Sequence, residues 1–349
     1  MVLPSVRVFA LGDVVLQGAP SESSGYVFDG RVMVTIRVPA RIQGLEVCFR
    51  TAQCSWWTQL RHGQKQDASE RQVEFSDQLY SGDDMWRRGT YEFFFRIVLP
   101  GDLQETMYTE HRRVAYEVHA ALAVSGPLGS VRRTAARPVA VKRVPYFGSA
   151  WESLANDVVH VSAVWRNSIE MCALGCGRVQ RDGQPLRVKG VVRALEKGFR
   201  LTKVGFILEE RTRSRVGRAA AKSTSAIAAS RYLRAGEHGD WCGSLIVDQL
   251  AFDLELQIPR AYGKIQYDVK HGPVTVSHRL AFVVAVVDQF GHGTSLRLFT
   301  PLHIMPHNWS DCGSELPTYA DALADRVLLT AAATPAVASA RQPALLPTC

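Results

Sequence analysis

Near the end of the sequence stands Leu316-Pro317-Thr318-Tyr319, inside SELPTYADAL. Four residues cannot bury a core, but another protein can read them. Proline fixes φ at about −65° and biases the preceding residue toward an extended form, so Leu316-Pro317 is partly pre-set as polyproline II. Such a segment fits an aromatic-lined groove, where Tyr319 can bury its ring while its hydroxyl finds a partner. Ordering costs little because the segment is short and already biased. A lone peptide of this kind binds at about micromolar strength, about −8 kcal/mol. Downstream, ADALADRVLL sets Leu323 and Val327 at i, i+4, with Asp321 early and Arg326 late. That spacing predicts a short helical turn that extends the contact.

The most basic window holds Arg211, Arg213, Arg215, Arg218, Lys222, Arg231 and Arg234 within RTRSRVGRAAAKSTSAIAASRYLRAG. Beside an anionic leaflet each basic side chain is worth about 1 kcal/mol. The window therefore suits a membrane surface or an acidic partner tail, and otherwise reads as a solvated loop. Lysines are few, and Lys222 falls in this stretch while Lys142 and Lys189 fall in predicted strands. His303, His307 and Cys312 suggest metal ligation, but Pro306 breaks any helix that would align them and no Cys-x-x-Cys pair completes the set. Cys172 and Cys176 are wrongly spaced for a zinc knuckle. GCGRVQRDG lacks the spacing of a phosphate-cradling loop, no GxSxG elbow occurs, and Asp83-Asp84 and Glu209-Glu210 read as solvated turns. No constellation supports an enzyme, a cofactor or a metal site.

These residues need elements to hold them. At 349 residues the length suggests about two domains, because one core rarely exceeds roughly 250–300 residues. A hydrophobic fraction of 46% with 21% charged residues is ordinary for a globular protein. The net charge of +8 suits acidic partners without choosing among them. No apolar run reaches the ~18–20 residues of a membrane span, and MVLPSVRVFALGDVVLQG lacks the layout of a signal peptide. The expectation is a cytosolic chain whose seven cysteines are reduced.

Period-2 alternation dominates. In RVMVTIRV, Val32, Val34, Ile36 and Val38 alternate with polar residues; in LAFDLELQI, Leu250, Phe252, Leu254, Leu256 and Ile258 do. Strands with one wet and one buried face follow, and the many short strands argue an all-β sandwich. The phrase YEFFFRIVLP, VAYEVHAAL, a turn and PVAVKRVP recurs later as AFDLELQIP, SHRLAFVVAVVD, a turn and LRLFTPLHIMP. Such duplication predicts two similar sandwiches in tandem, at 1–147 and 148–310, with the boundary near Pro145-Tyr146-Phe147-Gly148-Ser149. Residues 211–236 break the pattern and read as a basic inserted loop in the second sandwich. Residues 311–349 read as the LPTY segment and a flexible tail.

In order and spacing, these phrases over roughly residues 1–310 resemble the arrestin fold, and within it the alpha-arrestins, the arrestin-related trafficking adaptors. The resemblance implies two tandem antiparallel immunoglobulin-like sandwiches. It implies a cytosolic adaptor, peripherally recruited to plasma membrane or endosomes, that recognises the cytoplasmic tails of membrane transporters or receptors. It also implies recruitment of a HECT-type ubiquitin ligase through its WW domains, leading to ubiquitination and endocytosis of the cargo. The PY motif of the family has Leu or Pro, then Pro, any residue and Tyr, and Leu316, Pro317 and Tyr319 match it. A ligase held there needs a reachable amine, which singles out Lys222 as ubiquitin acceptor. The lysine pair with which visual and beta-arrestins sense phosphate is missing from VLPSVRVFALGDV, where Arg7 is the nearby base. Phosphate sensing is therefore not carried over.

Two competing readings remain from the residues. One keeps the fold as a sorting or signalling scaffold, with LPTY incidental. The other is a carbohydrate- or nucleic-acid-binding sandwich using Trp56, Trp57 and the arginines, although no nucleic acid is expected under the leading reading.

Overall fold

The computed structural model describes residues 4–57, 66–69, 74–109, 112–126, 129–145, 149–214, 222–234, 245–260, 264–270 and 274–306. Nearly all regular structure in them is β, and the chain divides into two compact units, with Met1–Pro145 in the first and Tyr146–Asp311 in the second.

Unit 1 contains β1 (Ser5–Ala10), β2 (Val14–Gln17), β3 (Tyr26–Ile36), β4 (Ala40–Trp57), β5 (Gln66–Ser69), β6 (Glu74–Trp86), β7 (Gly89–Leu99), β8 (Met107–Tyr108), β9 (Arg112–Gly126), β10 (Gly129–Val139) and β11 (Val141–Val144). One sheet has the order β1-β3-β7. The facing sheet runs β10-β9-β4, with β5 and β6 both on β4 and β8 on β9. Apart from a parallel β11–β2 pair, the pairings are antiparallel. The layers meet through aromatics: Phe28 of β3 lies 5.4 Å from Phe49 of β4, and Phe49 stacks on Tyr116 of β9.

Unit 2 opens with a helix, α1 (Ser149–Asn156), that the alternation does not foreshadow. It continues with β12 (Val158–Trp165), β13 (Ile169–Gly177), β14 (Val179–Arg181), β15 (Pro185–Ala194), β16 (Arg200–Ser214), β17 (Lys222–Arg234), β18 (Gln249–Gln257), β19 (Val274–Val287) and β20 (Gly293–Met305). The sheets are β12-β13-β15-β18 and β14-β20-β19-β16-β17. Their inner faces form one core, in which Phe206, Phe252 and Phe282 lie within 5.1–6.3 Å of one another. Each such ring contributes about 1.5–3 kcal/mol by leaving water.

Alternation places these side chains as the sequence anticipates. Val32, Val34 and Ile36 are buried on β3, and Phe252, Leu254 and Leu256 on β18. Val38 lies beyond the end of β3 and is exposed. In both units a phenylalanine of the edge strand crosses a glycine on the neighbouring strand. A Cβ at Gly30 would stand 2.3 Å from the Phe95 ring, and one at Gly190 would stand 2.2 Å from the Phe252 ring. These glycines let the rings lie flat over the partner strand.

Two expectations are corrected. Gly129–Val139, expected as a turn before PVAVKRV, is strand β10, paired with β9 along its full length. Within the span 211–236 expected as an inserted loop, residues 211–214 end β16 and Lys222–Arg234 form β17, a hairpin paired from Lys203↔Arg234 to Ser214↔Lys222. β10 and β17 stand at sheet edges, where main-chain pairing on one side lets polar and small residues serve. Residues 311–349 lie outside the described residues.

Candidate functional site

The β16–β17 hairpin carries the basic window, and its register sorts the arginines by face. Phe206 and Leu208 are core residues, so even-numbered positions of β16 point inward and odd-numbered ones outward. Arg211 and Arg213 therefore share the outer face and are exposed. Arg231 lies opposite Phe206, on the core-facing side of β17. The hairpin thus brings Arg211 and Arg213 together and turns Arg231 away from them. Lys222 opens β17 and Arg234 closes it. Arg215, Arg218, Leu316, Pro317 and Tyr319 lie outside the described residues, as do His307 and Cys312.

Other strands enlarge the basic face. Arg279 of β19 is opposite Glu209 of β16, and its Nε donates to Glu209 Oε2 at 2.7 Å. Arg297 of β20 approaches the same carboxylate at 3.9 Å. Glu209, expected in a solvated turn, is instead buried within β16, where it anchors two guanidiniums at once. The Arg279 guanidinium stacks 3.8 Å from the Phe299 ring, and the Lys203 ammonium sits 3.6 Å from that of Tyr232. These stacks fix long side chains that would otherwise cost rotamer entropy. Ile227, 63% exposed, and Phe299, 41% exposed, stand among the cations. The result is a basic face studded with apolar side chains, chemistry suited to an anionic, partly apolar surface. Lys203, Arg279, Arg297 and Phe299 were not singled out from sequence, because they meet only once the strands pair.

Beneath this hairpin is a buried polar cluster. Asp268 Oδ1 is 2.5 Å from His278 Nδ1, Asp268 Oδ2 is 2.7 Å from His303 Nδ1, and the Ile304 amide donates to Oδ1 at 3.3 Å. His278 Nε2 lies 3.5 Å from Glu210 Oε2, the oxygen that accepts from the Gln266 amide at 2.7 Å. Burial opposes a charged imidazole at His278, but Asp268 and Glu210 outweigh it and the pKa is raised. Burial likewise opposes the Asp268 carboxylate, yet hydrogen bonds from His278 and His303 hold its pKa below the usual value. His303, first noted as a metal-ligand candidate, here serves Asp268.

Elsewhere, Lys142 is buried with its Nζ 2.7 Å from Asp13, whereas Lys189 is exposed on β15. Trp56 and Trp57 end β4.

No family model matches the chain. Over 317 residues it is 23% identical to the probable HECT-type ubiquitin ligase-interacting protein creD of Aspergillus clavatus, an overlap covering 84% of this chain. That overlap spans 50% of the creD protein, so the chain covers about half the length of this relative. Over 331 residues it is 26% identical to the HECT-type ubiquitin ligase-interacting protein apyA of Emericella nidulans, covering 87% of this chain and 86% of that protein.

Proposed function

We propose that the chain is a non-enzymatic, arrestin-like adaptor that joins a HECT-type ubiquitin ligase to membrane-protein cargo. The observation that carries this reading is the likeness, along more than four-fifths of the chain, to two proteins named for interaction with such ligases. Leu316, Pro317 and Tyr319 supply the peptide that a WW domain of the ligase would read, by the proline-preset geometry described above. The β units hold the cytoplasmic tails of transporters or receptors. Catalysis belongs to the ligase: holding it beside the cargo raises its effective concentration at cargo lysines, which promotes ubiquitination and endocytosis. Micromolar binding through one short peptide gives brief residence, so a second contact is needed.

The basic face supplies that second contact. Arg211, Arg213, Arg279 and Arg297, with Ile227 and Phe299 between them, would rest against the anionic leaflet that carries the cargo. The adaptor is then cytoplasmic and peripherally recruited to plasma membrane or endosomes. Lys222, at the start of β17, is the proposed ubiquitin acceptor on the adaptor itself. Pulldown on immobilised WW-domain protein tests the ligase contact. The full chain is expected to be retained and its Tyr319→Ala form lost; equal retention of both removes Leu316-Pro317-Thr318-Tyr319 from the account and leaves a scaffold without ligase recruitment.

A further inference from the structure

The duplicated phrase gives each sandwich an edge strand, YEFFFRIVLP in β7 and AFDLELQIP in β18. A cleft lies beside each. In unit 1 its volume is about 580 Å³, with Phe94, Phe95 and Arg96 of β7 and Asp77 of β6 among its walls. In unit 2 it is about 650 Å³, between Asp253–Gln257 of β18 and Ala229–Leu233 of β17. Counted back from the closing Pro100 and Pro259, Phe94-Phe95-Arg96 corresponds to Asp253-Leu254-Glu255. The unit 1 cleft also borders Asp29, Gly30 and Arg31 of β3, whereas that of unit 2 is a seam between β17 and β18 alone.

The seam of unit 2 has the features of a strand-docking site. Ile258 N donates to Gln184 O, and Asp248 O accepts from Ala194 N, so even-numbered residues along β18 turn their main chain toward β15. Successive residues alternate. Ala251, Asp253 and Glu255 therefore direct N–H and C=O to the other side, where β18 has no strand partner among the described residues. Leu254 and Leu256 are buried and, with Leu233, give the cleft an apolar floor. Ala229 and Ser230 are too small to fill it. The opposite lip is blunted against pairing: β17 carries the inward-facing Arg231 and an irregularity where β16 passes from Leu208 to Glu209. By contrast, β18 pairs with β15 without a shift from Pro185↔Gln257 to Arg193↔Gln249.

Charge on the outer face indicates the occupant. Arg187 of β15 pairs with Glu255 of β18 at 3.1 Å, and Lys189 stands opposite Asp253. The ladder runs positive on β15 and negative on β18, so the complementary next rung is positive. A second copy docked β18 to β18 would bring the Asp253 and Glu255 carboxylates against carboxylates, which opposes that arrangement.

We infer that β18 takes up an extended segment of a partner protein as an added strand. Its apolar residues alternate into the cleft, and its basic residues face Asp253 and Glu255. Main-chain hydrogen bonds supply the affinity and the alternation supplies the selectivity. The docking deepens the adaptor reading, on which it rests for taking that segment as cargo.

Hydrogen exchange on the full chain tests it, with a nine-residue synthetic peptide alternating valine and lysine and a second alternating valine and glutamate. The lysine peptide is expected to slow exchange of the Asp253 and Glu255 amides at least tenfold, and the glutamate peptide to leave them unchanged. Asp253→Lys with Glu255→Lys changes two exposed side chains and is expected to reverse this preference. Ala229→Trp, which fills the cleft, is expected to weaken the lysine peptide at least tenfold. Absence of protection on β18, an unchanged preference in the double variant, or peptide-independent pairing of two copies in sedimentation would overturn the inference. Tyr319→Ala is expected to keep the protection, so loss of ligase binding and loss of strand docking are read separately.

Discussion

Replacing Asp268 by asparagine keeps the shape of the side chain and removes one buried charge. The carboxylate accepts from His278 and His303 and from the Ile304 amide. Its loss leaves His278 facing Glu210 alone, 3.5 Å away. Breaking a buried, hydrogen-bonded charge pair from one side costs about 3–5 kcal/mol. At about 2–4 °C per kcal/mol for a unit of this size, the melting temperature of unit 2 should fall by about 10 °C. The cost should depend on pH, with a sign set by the two shifts. His278 has its pKa raised above 6.5, so its contribution is complete below 6.5 and is lost as pH rises through the raised value. Asp268 has its pKa lowered below 3.8, so its contribution is present above 3.8 and is lost as pH falls through the lowered value. The difference between wild type and Asp268→Asn is therefore largest between these two reference values and shrinks on the alkaline side. Urea denaturation of both forms from pH 5 to pH 9.5, followed by tryptophan fluorescence, measures it. A difference under about 1 kcal/mol, or one constant across that range, refutes the coupled-charge account.

Three further outcomes are expected. Gly190→Val should destabilise unit 2 by about 1–3 kcal/mol in the same assay, because a Cβ there meets the Phe252 ring at 2.2 Å. Phe282→Ala should cost about 3–5 kcal/mol, since the ring sits between Phe206 and Phe252 in the core. Arg211→Ala with Arg213→Ala should weaken sedimentation with phosphatidylserine vesicles about 30-fold at low salt, at about 1 kcal/mol per cation; an unchanged partition removes the hairpin from the membrane contact.

The strands were legible where one face is buried and the other wet. LAFDLELQI and RVMVTIRV state their own geometry, because a side-chain period of two leaves a one-residue slip no place to hide. The edge strands β10 and β17 were not. SVRRTAARPV in β10 and KSTSAIAASRYLR in β17 are held by main-chain pairing on one side, which leaves no apolar signature. Composition could mark residues 211–236 as basic, but only register could separate Arg211 and Arg213 from Arg231. The Asp268 cluster was hidden for a different reason. Its histidines lie 10 and 35 residues away, and no periodicity links a loop carboxylate to residues on two strands. His303 did draw attention in the sequence, but with the wrong neighbours.

The central claim is that Leu316-Pro317-Thr318-Tyr319 is a ligand and the folded units its handle. Titration of the full chain into an isolated WW domain of a HECT-type ligase, followed by calorimetry, measures this directly. The account predicts one site of about micromolar Kd, abolished by Tyr319→Ala and by Pro317→Ala while the melting temperature stays unchanged. Binding of undiminished strength by both variants would contradict it.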